Sequence, residues 1–292
     1  MQLNQVEEMI RAAGGGDNAL AYAEALREKV NRIEGQRQFA PLLRQLRASR
    51  EHGDFRGRIL EVNFVDCFTR KGILLDYGIK QGMSGDIDFG WKVEGHVLSI
   101  EAKLLGQARK TRDKINAQLQ DNGRSAMLLD DDTKDVARLQ TDIIQKGSTQ
   151  KFNPKPSKDA VNLVAIDVTE LQLGTVDICD CLLAAGGNSL AAQHCDSACL
   201  REAVVGAFED IAPENLNEPQ RLWLAAIQKL KGDVPHPRTY IHGALFLFRE
   251  PQERAALSYE LRCTLVWNQS LIAHDIAKKI CSALYSVIPQ LK

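Results

Sequence analysis

Hydrophobic and polar residues alternate along two neighbouring segments in the first third of the chain, and this alternation predicts a β-hairpin. In the first segment every second residue is apolar, at Ile87, Phe89, Trp91 and Val93. After a turn at Glu94–Gly95, the second segment places Leu98 and Ile100 on one side. Because successive side chains of a strand point to opposite faces, the polar residues share the other face. That face carries Asp86, Asp88, Ser99, Glu101 and Lys103.

The rest of the pattern predicts helices and strands along most of the chain. Apolar residues at helical spacing predict helices at Ala19–Ile33, Phe39–Leu46, Asp54–Arg70, within Gly106–Leu129, at Lys134–Gln145, Leu222–Leu230 and Leu271–Ile288. Further strands are predicted at Ile73–Ile79, Val161–Val168, Tyr240–Phe248 and Leu257–Trp267. The polar segment 146–159 contains two prolines and is predicted to be a loop.

This order of elements predicts a mixed α/β (α+β) fold, with a central mixed β-sheet flanked by helices. We expect an N-terminal helical segment at residues 1–50 and one larger domain at 51–292. Residues 171–234 show the least regular pattern, and we interpret them as an insertion in that domain.

Charge and composition describe an ordinary globular chain without a global nucleic-acid signature. The net charge of the 292 residues is −1, so any DNA-binding surface must come from local clusters of basic residues. The N-terminus lacks the basic start and apolar run of a signal peptide, and no apolar stretch is long enough to span a bilayer. We therefore expect a cytoplasmic protein with no membrane partner, whose seven cysteines are reduced thiols.

The polar face of the hairpin has the composition of a metal site. Two or three carboxylates beside an ammonium group can bind a hard divalent cation and the water that it activates. This is the chemistry of phosphodiester hydrolysis. Asp88 and Glu101 are the predicted ligands, and carboxylate oxygens suit Mg²⁺ or Mn²⁺.

These residues resemble the PD-(D/E)xK nuclease superfamily, whose members have a restriction-endonuclease-like fold. Glu101-Ala102-Lys103 supplies the acid-x-Lys triplet, and Asp88 lies 13 positions before Glu101, with Asp86 as the second candidate. Ile87 stands where the motif has its proline. An additional acid on the preceding helix is matched by Glu61. The resemblance covers roughly residues 54 to 170.

The resemblance implies a role for each matched residue. Asp88 and Glu101 would bind the metal, with the backbone carbonyl of Ala102 and Asp86 as further ligands. Lys103 would hold or activate the attacking water, or stabilise the charge that develops on phosphorus. Glu61 would bind the metal directly or orient a water.

Basic residues follow the hairpin in two stretches. The first stretch follows the second strand of the hairpin and contains Arg109, Lys110, Arg112 and Lys114. The second contains Lys146, Lys151, Lys155 and Lys158. Each stretch either binds backbone phosphates or is a solvated surface. Gln118 matches a glutamine that one exonuclease-like branch of the superfamily places near its active site, with a solvent-facing glutamine as the alternative.

The function predicted from these features is a metal-dependent DNA endonuclease, acting in restriction, phage defence or repair. A homodimer would supply two active sites for cutting both strands. There is no P-loop and no dinucleotide-binding glycine pattern, so no nucleotide cofactor is expected. The first alternative is a catalytically inactive nuclease-fold module that binds nucleic acid or a protein partner. The second is an interaction domain with a structural zinc in the cysteine-rich segment 179–199, although its spacing differs from that of common zinc fingers.

Overall fold

The computed structural model shows a mixed α/β architecture. It describes residues 7–8, 19–49, 52–80, 85–106, 133–148, 151–152, 157–168, 176–231, 236–249 and 260–291. The longer helices of this part are α1 (Ala19–Glu34), α2 (Ala40–Ala48), α3 (His52–Thr69), α4 (Thr133–Ser148), α5 (Ile178–Ala191), α6 (Glu218–Lys231) and α7 (His274–Val287). The strands are β1 (Asp76–Ile79), β2 (Ile87–Val93), β3 (His96–Leu104), β4 (Ala160–Asp167), β5 (Gly243–Arg249) and β6 (Leu261–Trp267).

The described strands form one six-stranded sheet in which spatial order follows chain order. The pairs β1–β2, β2–β3 and β5–β6 are antiparallel, whereas β3–β4 and β4–β5 are parallel. The prediction of a mixed sheet flanked by helices is therefore confirmed. Several boundaries differ from those predicted. Among the strands, β1 begins at Asp76 instead of Ile73, and β5 begins at Gly243 instead of Tyr240. Among the helices, α4 continues to Ser148 into the predicted loop, α6 begins at Glu218 instead of Leu222, and α7 begins at His274 instead of Leu271. The helix predicted within Gly106–Leu129 lies almost wholly outside the described residues.

Helices cover both faces of the sheet, and each face has its own hydrophobic core. One core contains side chains of α1, α2, α3 and α7, and the other contains side chains of α4, α5 and α6. Strand β4 contributes to both, because Leu163 and Ala165 lie in the first core while Val164 and Ile166 lie in the second. A strand buried on both faces reads as a continuous apolar run, which is why its position was evident from the sequence.

A buried polar network joins α1 to α3. Asp66 is fully buried, and its carboxylate accepts hydrogen bonds from Arg32 at 2.7 Å and 3.2 Å. Lys29 donates to Asn63 Oδ1 at 2.9 Å, and burial lowers the pKa of the Lys29 ammonium. Because charged groups inside a core are stable only when paired, these contacts fix the position of α3 against α1. Helix α3 carries Glu61.

The β2–β3 hairpin closes through the predicted two-residue turn. Val93 pairs with His96, and the two residues between them both have positive φ, 51° at Glu94 and 80° at Gly95. Positive φ at both central positions is typical of a type I′ turn, whose twist matches that of the strands. Glycine tolerates this conformation, whereas a glutamate side chain is strained in it.

We predict that Glu94→Asn stabilises the protein by about 1 kcal/mol, because asparagine adopts the left-handed conformation more readily than glutamate. The urea unfolding midpoint measures this change. Gly95→Ala is the matched control: no atom lies within 4 Å of a Cβ built there, so any loss of stability reports backbone strain alone. A lower midpoint for Glu94→Asn would contradict the assigned turn.

A buried histidine, His242, directly precedes β5 and ties this end of the strand to β4. His242 Nδ1 accepts a hydrogen bond from the Asn162 backbone N–H at 3.1 Å, and the His242 backbone N–H donates to the Asn162 carbonyl at 2.9 Å. Burial lowers the pKa of His242 from 6.5 to about 4. The folded protein therefore holds this imidazole neutral at pH values where the unfolded chain binds a proton.

We expect the stability that depends on neutral His242 to be complete above pH 6.5 and to fall as the pH decreases towards 4. The loss reaches about 3 kcal/mol, since each pKa unit corresponds to about 1.4 kcal/mol. His242→Asn keeps an acceptor for Asn162 N–H but cannot titrate. The variant should therefore lose less stability than the parent in urea unfolding between pH 6.5 and 4, and parallel losses would refute the assignment.

Candidate active site

The open end of the β2–β3 hairpin brings Asp88 and Glu101 together. The paired register ends where Phe89 lies opposite Ile100, and its continuation places Asp88 opposite Glu101. There the Asp88 side chain accepts the Ala102 backbone N–H, with a distance of 2.8 Å to Oδ2. The carboxylate thus replaces a ladder partner and is fixed beside Glu101, which is fully buried. Burial and then the charge of Asp88 raise the pKa of Glu101.

Glu61 approaches the same place from α3. Tyr77 Oη donates to Glu61 Oε2 at 2.7 Å, and Arg58, one turn earlier on the helix, donates to Oε1. Burial, followed by the charge of Asp88, raises the pKa of Glu61 to about 7, against the opposing effects of Tyr77 and Arg58. The negative charge of Asp88 therefore acts on two of the three other predicted acids, Glu61 and Glu101.

The ammonium groups bonded to Glu101 belong to Lys146 and Lys151. Lys151 Nζ lies 3.0 Å from both Glu101 oxygens, and Lys146 Nζ lies 3.1 Å from Oε2. Lys146 is in the last turn of α4, and Lys151 follows that helix by three residues. The sequence identified both lysines only as part of a basic stretch, because nothing local indicates that the segment folds over β3.

The charge of Lys103, the lysine of the triplet, acts on Asp142 of α4. Burial raises the pKa of Asp142, while the positive charges of Lys103, Arg138 and Lys146 lower it. Sequence reasoning missed Asp142. The available signal was the spacing of Arg138, Asp142 and Lys146 at every fourth position, which places three charges on one face of α4.

A cavity of about 490 Å³ lies beside Lys103. Its lining includes the charged residues Lys103, Lys134, Arg138 and Asp142, and apolar surface from Leu104, Leu105 and Leu230. Arg138 also donates to the Gly106 carbonyl at 2.6 Å, which fixes the end of β3 against α4. Three cations and one acid around apolar walls form a pocket suited to an anionic ligand with an apolar part.

The other predicted site residues have different outcomes. Asp86 is exposed, with its carboxylate beside Gly78 of β1. Ala102 packs its side chain in the first core and donates its N–H to Asp88, and the ligand role of its carbonyl stays a prediction. The predicted nucleic-acid-binding residues all lie outside the described residues: Arg109, Lys110, Arg112, Lys114 and Gln118.

The carboxylates have suitable donor chemistry for magnesium, but their arrangement is not that of a preformed cage. Within the described ranges, no three His, Cys, Asp or Glu side chains form a group that would hold a metal ion. Mg²⁺ commonly takes only one or two protein carboxylates and obtains other ligands from water and substrate phosphate. Asp88 and Glu101 fit that requirement as oxygen donors, although lysines engage both oxygens of Glu101.

The cysteine-rich segment differs from both expectations made for it. Cys179 and Cys195 form a disulfide with a Cα–Cα distance of 6.0 Å, so the expectation that every cysteine is a reduced thiol is wrong. The chain returns to Cys179 because Gly187, with φ of 70°, interrupts α5. Cys181 is fully buried in the second core. The zinc alternative thereby loses Cys179 and Cys195 as thiolate ligands.

Comparison of the chain with protein-family models, with curated proteins and with solved structures finds no match. In the part of the chain described above, none of the helices combines the length and the apolar character needed to cross a membrane. The resemblance to a nuclease superfamily thus depends on the motif residues alone.

Proposed function

We propose that this chain is a metal-dependent nuclease that hydrolyses phosphodiester bonds in DNA and has a restriction-endonuclease-like core. The observation that carries the proposal is the pairing of Asp88 with Glu101 at the open end of the hairpin, where Asp88 is held by the Ala102 N–H. The coupling of Asp88 to Glu61 adds the third acid expected of such a site.

Each residue has a separate task in the proposed reaction. A bound Mg²⁺ or Mn²⁺ would supply a water of lowered pKa and would neutralise phosphate charge. Asp88 and Glu101 would hold the ion, and the Ala102 N–H keeps Asp88 from rotating away. Glu61, whose pKa is raised by burial to about 7, would orient a neighbouring water or accept a proton from it.

Substrate binding is proposed for the positively charged surface beside this site. Lys103, Lys134 and Arg138 line the adjacent cavity, and Lys and Arg are the residues that commonly bind backbone phosphates. In the sequence, the predicted basic stretch begins three residues after Gly106, which lines the same cavity. An endonuclease role in restriction, phage defence or repair, and a homodimer that cuts both strands, belong to the same proposal.

One observation favours a second candidate, a catalytically inactive nuclease-fold module that binds nucleic acid or a protein partner. Both oxygens of Glu101 are hydrogen-bonded to lysine ammonium groups, so the acid is already neutralised within the protein. For DNA binding, this candidate predicts retention in a gel shift without cleavage in any divalent metal.

We predict that Asp88→Asn and Glu101→Gln each lower the rate of Mg²⁺-dependent plasmid cleavage by at least about 100-fold. Both replacements preserve side-chain shape, and asparagine retains an oxygen for the Ala102 N–H, so circular dichroism should show a folded protein. Asp196→Asn, the same change at an exposed position, is the control and should cleave normally. Full activity of either site variant would remove the assignment, and DNA retention without cleavage by the parent would favour the inactive module.

A further inference from the structure

We infer that Lys146 and Lys151 form an internal counter-cation for Glu101, which a divalent metal ion must displace before it can bind that carboxylate. This inference depends on the proposed metal site, and it adds a property that the motif residues do not imply. According to this inference, a divalent metal ion binds Glu101 by replacing the lysine ammonium groups, and not by entering a vacant site.

The contacts around Glu101 leave little room for a metal ion. Lys151 Nζ is 3.0 Å from Oε1 and from Oε2, and Lys146 Nζ is 3.1 Å from Oε2. Two carboxylate oxygens offer about four lone-pair positions, and these contacts take three of them. A Mg²⁺ ion requires oxygen at about 2.0–2.1 Å with near-octahedral geometry and would repel both ammonium groups at that range. The ion and the pair of lysines therefore compete for the same oxygens.

Burial explains why the lysines hold Glu101 when no other cation does. The Glu101 side chain is 0 % exposed, and an isolated carboxylate in such a position is strongly disfavoured. The nearby negative charge of Asp88 increases this penalty. Two charge-assisted hydrogen-bonding partners offset it, so the lysines supply the positive charge that a metal would otherwise bring.

The two lysines can release Glu101 without unfolding of the core. Their side chains keep 23 % and 22 % of their surface exposed, so each ammonium has a path to solvent. Lys146 is in the last turn of α4, where a cation also interacts favourably with the helix carbonyls. The stem of Lys151 passes over Gly85, where a Cβ would lie only 3.3 Å from Cε. The missing side chain at Gly85 thus leaves a channel for this stem.

Manganese binding to the purified full chain without DNA tests the exchange. We expect Lys151→Met to tighten Mn²⁺ binding by at least about tenfold, because a charge-assisted hydrogen bond no longer has to be broken. Lys146→Met should have a smaller effect, since Lys146 makes one hydrogen bond to Glu101 whereas Lys151 makes two. Lys151→Arg keeps the charge and should stay close to the parent. Lys158→Met, at an exposed position in the same basic stretch, should also leave the affinity unchanged.

A double-variant cycle with Glu101→Gln separates the exchange from a general change in charge. If Lys151 acts through Glu101, Lys151→Met should have little effect on Mn²⁺ affinity in the Glu101→Gln background, and a tenfold effect that persists there would overturn the inference. Equal Mn²⁺ affinities of the parent and Lys151→Met, with binding that still requires Glu101, would overturn it as well but leave the nuclease proposal intact. Absence of Glu101-dependent Mn²⁺ binding in every variant would overturn both.

A second measurement on the unmodified protein removes the dependence on variants that fold poorly. Ammonium protons of hydrogen-bonded lysines exchange slowly enough to be followed by ¹⁵N NMR, and we expect those of Lys146 and Lys151 to change environment as Mg²⁺ is added. Signals of both lysines that remain unchanged at saturating Mg²⁺ would contradict displacement.

Discussion

The burial of the Glu101 carboxylate between β3 and α4 is the constraint on which the rest of the site depends. Ser99 and Glu101 of strand β3 are fully buried, so their polar groups must find partners in the protein. Glu101 forms ion pairs with one lysine of α4 and one lysine of the segment after it. The positive charge of Lys103 acts on Asp142, which lies on the same helix. The α4 helix therefore completes the site, although the motif itself belongs to the hairpin.

The strand pattern predicted the local structure of the hairpin well. The first core contains Phe89, Trp91, Leu98 and Ile100, as the apolar alternation of the two strands predicted. Ile87, predicted on the same face, lies instead in the second core. Glycine at position 95 indicated the turn. The pairing of Asp88 with Glu101 followed from the same register, because a two-residue turn fixes which residues lie opposite one another. Helix α3 was predicted within two residues at its start and one at its end. Glu61 could thus be placed on a helix beside the strands.

Contacts between distant segments were beyond the reach of this pattern. Lys151 and Glu101 are separated by 50 residues, and no periodicity specifies which lysine of a basic stretch turns inwards. The disulfide is a similar case, because the sequence around Gly187 gives no sign that the chain reverses direction there. Burial adds a further difficulty, since the amino acid type alone does not distinguish an exposed Asp86 from a half-buried Asp88 on the same strand face. Such distinctions depend on which helix covers the sheet.

The composition of the covered face argues that its charges serve a purpose other than stability. The second core, on the same side of the sheet as α4, contains Val136, Leu139, Ile143, Val164 and Ile166. A buried ion pair is commonly no more stabilising than well-packed apolar side chains of the same volume, and is often less so. Two lysines, a carboxylate and a second acid at one strand end are therefore expected to stabilise the fold no more than apolar side chains in the same space. A charged cluster of this kind is what the proposed binding of a metal ion and a phosphodiester would require.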